Sequence, residues 1–148
     1  MKKLLLSFLV IFFSLYSCQQ TPATDETTTP ERDGVFVHIS HGSDDPHRVL
    51  MGLQMAVLMS EDRDVLVYFD IKGIDVVLQD AEDFTYSHFP SSKTQIQKLL
   101  SKNVPVMACP GCLKAAGKMP EDLMEGIQVA DKAKFFDFTK GRILTIDY

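Results

Sequence analysis

Two closely spaced cysteines are the residues of this chain best suited to chemistry. Cys109 and Cys112 occur in the run Cys-Pro-Gly-Cys, after an apolar segment with strand character and before a segment with helix character. In the first turn of a helix, backbone N–H groups without a partner favour a thiolate over a thiol. The sequence therefore predicts Cys109 as a nucleophile with a lowered pKa and Cys112 as a second thiol that can form a disulfide with it.

Three other interpretations of this pair stay open from the sequence. An oxidising compartment would allow a purely structural disulfide. The pair would also supply half of a zinc site, which needs four ligands, if a histidine such as His41 lay close to it. Thioredoxin places a similar pair after a strand, typically as Cys-Gly-Pro-Cys with a Trp before it. Here Ala108 precedes Cys109, and the chain contains no Trp.

Strand-like and helix-like segments alternate through residues 34–148, and this alternation predicts an α/β fold with a mainly parallel sheet. Strands are predicted at 35–40, 65–69, 104–108, 127–130 and 142–147, and helices at 45–60, 71–79, 92–102, 120–124 and 132–138. In such a sheet, functional groups collect beyond the carboxyl ends of the strands. The segments 40–42, 70–73 and 109–112 all end at that edge.

Polar side chains near this predicted edge are further candidates. His41 lies on a turn after the first strand and is a candidate proton donor for Cys109. His38 falls inside that strand, where a packed and hydrogen-bonded role is expected. Asp70 follows the second strand, where it either influences the site or caps the next turn.

Composition and charge narrow the classes of function. The chain has 148 residues, of which 45% are hydrophobic and 24% charged, as in a globular protein. The formal net charge of -5 argues against a nucleic-acid partner, because phosphate binding needs a basic face. Three cysteines are too few for a scaffold built on disulfides. No pattern in the sequence indicates a bound cofactor.

The N-terminal segment has the features of an export signal. Lys2 and Lys3 precede an apolar run that is too short to span a bilayer, so residues 1–17 are predicted to be a signal peptide. Its end, Leu15-Tyr16-Ser17-Cys18, resembles the lipobox of bacterial lipoproteins, which implies that Cys18 is lipidated. Residues 18–33 are then a flexible tether, and 34–148 form one domain facing the periplasm or the exterior.

Three segments of this domain, taken in order, resemble the DsrE/DsrF-like family, which includes the Tus sulfur-relay subunits. They are the strand 35–40 with its Asp-Asp-Pro turn and helix, the strand 65–69 followed by 73–78, and the strand 104–108 closing on Cys109. The resemblance covers most of residues 35–147. It implies a three-layer α/β/α sandwich with a five-stranded sheet, assembled as a homotrimer or homohexamer. It also implies that Cys109 carries sulfur as a persulfide.

The second cysteine changes what the resemblance implies. Cys112 would attack a persulfide on Cys109, release sulfide and close a disulfide. We therefore expect a protein that transfers or reduces sulfur or exchanges disulfides, with small sulfur species or a thiol/disulfide protein as partner. The alternative is a non-catalytic binding or structural module of the same fold, in which the pair is a fixed disulfide or a weak metal site.

Overall fold

A five-stranded, all-parallel sheet organises the part of the chain that the computed structural model describes, residues 33–138 and 141–148. The predicted signal peptide, Cys18 and the tether up to residue 32 lie outside the described residues. The strands are β1 (Gly34–Ile39), β2 (Asp64–Phe69), β3 (Val106–Ala108), β4 (Gln128–Val129) and β5 (Ile143–Asp147). Their order in the sheet is β4-β3-β2-β1-β5, which confirms the predicted α/β class.

The helices connect these strands and cover the sheet. They are α1 (Pro46–Met59), α2 (Ser92–Ser101), α3 (Pro110–Ala115) and α4 (Lys132–Asp137), with 3-10 helices at Ile71–Val76 and Pro120–Asp122. Asp45 caps α1 by accepting a hydrogen bond from the Arg48 N–H, and Pro46 occupies the first turn. Within the described residues, no helix is both long and apolar enough to cross a bilayer.

Several elements are shorter than the sequence predicts, among them β3 and the segment after β2. The third strand begins at Val106 instead of residue 104, since Pro105 has no N–H to contribute to a ladder. Its carbonyl still accepts a hydrogen bond from the Val67 N–H at 2.9 Å. The helix expected at 71–79 is a six-residue 3-10 helix, Ile71–Val76.

The two faces of the sheet are covered differently. Val35, Val37 and Ile39 of β1 are fully buried in one apolar cluster with residues of α1 and α2. The alternate residues Phe36 and His38 point to the opposite face and are only partly buried. On that face α4 covers the sheet, and the ring centroids of Phe36 and Phe135 are 5.5 Å apart. The site described below lies at the carboxyl end of this more open face.

The turn after β2 packs closely against the end of β1. A Cβ atom at Gly73 would press against the carbonyl oxygen of Ile39, so only glycine fits there. Ile71, two residues earlier, has a φ angle of 48°, in the left-handed region that β-branched residues rarely adopt. Such a conformation costs roughly 1–3 kcal/mol and persists only where surrounding contacts hold it.

The substitution Gly73→Ala should therefore destabilise the fold. We expect the free energy of unfolding to fall by about 1–3 kcal/mol, because the added methyl group must displace backbone that has no room to move. Chemical denaturation measures this change. Gly111→Ala is the matched control, since its Cβ would meet nothing closer than Cys109 Sγ at 3.9 Å. Equal stability of the two variants would contradict this packing.

Candidate active site

Cys109 lies directly between a strand and a helix at the carboxyl edge of the sheet. Its N–H donates a hydrogen bond to the carbonyl oxygen of Phe69 at 2.8 Å, which extends the pairing of β2 with β3 by one residue. It is the N-cap of α3, and Pro110 occupies the first helical position. Cys109 and Cys112 are separate, half-buried thiols.

The environment of Cys109 favours its thiolate. Burial raises the pKa of this thiol, but hydrogen bonds to the sulfur outweigh burial and leave the pKa below its ordinary value. The hydroxyl of Tyr68 donates one of these bonds. The backbone N–H of Cys112 donates another at 3.4 Å, and the Cys112 thiol and the Gly111 N–H also contribute.

The pKa of Cys112 is shifted in the opposite direction. The backbone N–H of Ile71 donates to its sulfur and lowers the pKa of Cys112, but burial and the nearby Cys109 sulfur raise it, and the net pKa is above the ordinary value. The strained residue Ile71 therefore contacts the second thiol directly. The pair is asymmetric, because its surroundings lower the pKa of Cys109 and raise the pKa of Cys112.

Tyr68 is a site residue that the sequence analysis did not single out. It lies in β2 and points to the more open face of the sheet, beside Met107 of β3. Burial and the hydrogen bond to Cys109 raise the pKa of its phenol, so the hydroxyl stays protonated and remains a donor. A phenol near the end of a mainly apolar strand was the available sequence signal.

His38 lies between two carboxylates on the same face. Its Nδ1 is 2.9 Å from Asp147 Oδ1, and its Nε2 is 2.9 Å from Asp70 Oδ1. The contact with Asp70 has the distance of an ion pair but not the alignment of a hydrogen bond. Burial lowers the pKa of His38, but the two carboxylates raise it more, so the net pKa is above its ordinary value.

The hydrogen-bond partners of His41 are side chains other than the two cysteines. Its Nδ1 is 2.9 Å from Asp44 Oδ2, and its Nε2 is 3.4 Å from an Arg48 guanidinium nitrogen. Asp44 also accepts the Gly42 N–H, which is the main reason why its pKa lies well below the usual range, and it approaches Lys72 Nζ at 3.4 Å. Among the described residues, none of the hydrogen bonds of His41 reaches either thiol.

Metal binding finds little support in the described residues. In residues 33–138 and 141–148, no three His, Cys, Asp or Glu side chains gather as they would around a metal ion. A small open cavity of about 230 Å³ is lined by Tyr68 and by Pro110, the residue that follows Cys109, but by neither cysteine. It is mainly apolar, and its lining residues are Tyr68, Pro110, Ala130, Asp131, Lys132, Phe135 and Phe136.

Comparison with known proteins assigns the chain to a family. The DsrE/DsrF-like family matches residues 33–142, which is most of the chain. The chain belongs to the DsrE/DsrF-like family. Among solved structures, the ychN protein from E. coli is similar, with 15% identity and a TM-score of 0.59 over 78% of this chain and 99% of that chain. A protein of unknown function from Methanobacterium thermoautotrophicum shows 23% identity and a TM-score of 0.56 over 78% and 100%. No curated protein matches.

These comparisons confirm the family and the fold of this DsrE-like chain. Family membership indicates a function related to sulfur relay. The two structural likenesses, at 15% and 23% identity, bear on the fold alone. The persulfide on Cys109, the lipid on Cys18 and the assembly into a homotrimer or homohexamer stay predictions.

The hydrogen bond from Tyr68 predicts the result of a single substitution. In Tyr68→Phe the thiolate of Cys109 loses its phenolic donor, so the pKa of Cys109 should rise by about one unit. The rate of alkylation by iodoacetamide against pH, measured in a Cys112→Ser background, reports this pKa. Tyr86→Phe, which removes a hydroxyl from an exposed ring stacked on His47, is the control. A midpoint that is the same in both variants would show that Tyr68 does not stabilise the thiolate.

Proposed function

We propose that this protein takes sulfane sulfur onto Cys109 as a persulfide and that Cys112 then releases it as sulfide. The observation that carries this proposal is the asymmetry of the pair. Cys109 has a lowered pKa and hydrogen-bond donors around its sulfur, whereas Cys112 has a raised pKa and lies three residues away. Such a sequence of steps needs a first cysteine that readily forms a thiolate. It also needs a second thiol close enough to attack the resulting persulfide.

The first step is attack of the Cys109 thiolate on a sulfane sulfur of a polysulfide. A new S–S bond forms to Cys109, one S–S bond of the polysulfide breaks, and the shortened polysulfide leaves with the electron pair. The hydroxyl of Tyr68 and the N–H of Cys112 favour the thiolate of Cys109 that makes this attack.

The second step is attack of Cys112 on the Cys109 sulfur of the persulfide. The outer sulfur leaves as hydrosulfide, and an intramolecular disulfide remains. The sulfane sulfur is reduced by two electrons, and the two cysteines supply them. An external thiol or dithiol reductant must then reopen the disulfide before another cycle. The apolar cavity beside Tyr68 and Pro110 gives the uncharged part of a sulfur donor or of a partner protein a place near Cys109.

Mass spectrometry after treatment with polysulfide tests this proposal. We expect Cys112→Ser to accumulate one extra sulfur atom on Cys109, because the resolving thiol is missing. Wild-type protein should release sulfide and end as the disulfide. Cys109→Ser should do neither, although it keeps one thiol and so controls for unspecific reaction of Cys112.

The non-catalytic alternative predicts a different outcome. If Cys109→Ser consumes polysulfide as fast as wild-type protein, the sulfur-handling proposal is wrong. A pair that resists reduction by dithiothreitol would instead favour a fixed disulfide, and stoichiometric metal after purification without chelator would favour a metal-binding module.

We also propose that the mature protein is anchored through a lipid on Cys18, with the domain in the periplasm or outside the cell. The support is the sequence pattern of residues 1–18. Metabolic labelling with a radioactive fatty acid should label wild-type protein, whereas Cys18→Ser should carry no label and should leave the membrane fraction. Equal labelling of the two proteins would reject the anchor.

A further inference from the structure

Three polar side chains from separate segments of the chain meet on the more open face of the sheet. His38 of β1 lies between Asp147 of β5 and Asp70, which follows β2, and each of its ring nitrogens is 2.9 Å from a carboxylate oxygen. The neighbouring rings are aromatic, with the centroids of Phe36 and Tyr68 at 6.1 Å and 6.0 Å from that of His38. This cluster therefore links three segments through one imidazole.

The position of His38 suits a doubly protonated ring. An imidazolium presents an N–H at both nitrogens, whereas a neutral imidazole presents one N–H and one lone pair. A neutral His38 would therefore direct its lone pair at a carboxylate oxygen 2.9 Å away. Loss of one proton thus changes one of the two contacts from attraction to repulsion.

The two carboxylates differ in their access to water. The side chain of Asp147 is 69% exposed and that of Asp70 only 19%. Asp70 does not cap the 3-10 helix that follows it, and among the described residues neither its Oδ1 nor His38 Nε2 has an aligned hydrogen bond. Both atoms are buried, so their mutual ion pair is what compensates their burial.

This difference decides which contact a neutral His38 keeps. Leaving a buried carboxylate without a donor costs more than leaving an exposed one, because water replaces the lost donor only at the exposed group. The remaining proton should therefore stay on Nε2, facing Asp70. Asp147 would then face a lone pair and would turn to water instead.

The loss of this contact matters for β5, because β5 is an edge strand that pairs only with β1 in the described sheet. Its carboxyl end is held by two backbone hydrogen bonds of 2.8 Å, from the Tyr148 N–H to the His38 carbonyl and from the Ser40 N–H to the Tyr148 carbonyl. The contact between His38 and Asp147 adds a side-chain link at the same place. Edge strands open readily, since one side of their backbone has no ladder.

We propose that His38 is a proton-dependent clamp on the carboxyl end of β5. When protonated, His38 attracts Asp147 and Asp70 together and ties β5 to the rest of the sheet. When His38 is neutral, it keeps Asp70 and releases Asp147, and this end of β5 opens more often. The clamp goes beyond the proposed sulfur chemistry, because neither cysteine takes part in it.

The direction of the pH dependence follows from the groups that face His38. These are Asp70 and Tyr68 from the β2 side and Asp147 from β5. Burial lowers the pKa of His38, but the two carboxylates raise it more, and the net pKa is above the ordinary value. The raised pKa of Tyr68 keeps its phenol protonated. The clamp therefore stabilises the fold fully at low pH, and this stabilisation is lost as the pH rises through the titration of folded His38.

A double-mutant cycle between His38 and Asp147 tests the clamp. Unfolding of wild-type protein, His38→Gln, Asp147→Asn and the double variant gives the coupling between the two side chains. At about pH 5.5 this coupling should lower the unfolding equilibrium constant about fivefold, and at about pH 9 the factor should approach one. A coupling of the same size at both pH values, or none at either, overturns the proposal.

The matched control is a cycle between His38 and Asp75. Asp75 is an exposed carboxylate of the 3-10 helix that follows Asp70, and Asp75→Asn changes the net charge as Asp147→Asn does. This cycle should show a coupling factor close to one at both pH values. A control coupling that equals the one between His38 and Asp147 would overturn the clamp, because general charge would then explain the effect.

Wild-type protein gives a second test that does not depend on how a variant folds. Nitrogen-15 NMR of the His38 ring should show a titration midpoint above about 6.5 and, beyond it, a neutral ring with its proton on Nε2. Protection of the Tyr148 amide against hydrogen exchange, corrected for the intrinsic effect of pH, should fall severalfold over the same titration. A proton that stays on Nδ1, or a protection that does not follow the titration, overturns the proposal.

Discussion

The hydrogen bond from the Cys109 N–H to the Phe69 carbonyl is the contact on which the rest of the site depends. It continues the pairing of two parallel strands by one residue and so fixes where the cysteine run leaves the sheet. Because parallel strands end at the same edge, this places Cys109 beside the residues on either side of Phe69. Tyr68 before it reaches the first thiol, and Ile71 after it reaches the second.

The chemistry of the pair follows from how differently the two sulfurs are surrounded. Two cysteines of the same type have the same intrinsic pKa, and neither burial nor sequence spacing alone separates them. The hydroxyl of Tyr68 and local N–H groups favour charge on Cys109, and that charge in turn disfavours a second one on Cys112. Of the two sulfurs, Cys109 therefore forms a thiolate more readily than Cys112.

The strain at Ile71 fits this arrangement. Its left-handed backbone conformation aims an N–H group at Cys112, although a β-branched residue adopts this conformation only at a cost. The close approach of Gly73 to the end of β1 holds the same turn in place. On the open face, His38 of β1 contacts Asp70, which follows β2, and Asp147 of β5, so these three residues form one polar cluster.

The sequence by itself determined the α/β class, the order of strands and helices, and the place of Cys109 between a strand and a helix. These features follow from local patterns, namely apolar runs of strand length, helical spacing and the Cys-Pro-Gly-Cys run.

Only the tertiary structure decided which side chains meet the sulfurs. The sequence predicted His41 as a proton donor and Asp70 as a further candidate. In the structure His41 contacts Asp44 and Arg48, whereas Tyr68 and Ile71 donate hydrogen bonds to the two sulfurs. Strand register sets these contacts, and a shift of one residue would turn Tyr68 to the opposite face of the sheet. Register depends on packing between segments far apart in the chain, and no local pattern encodes it.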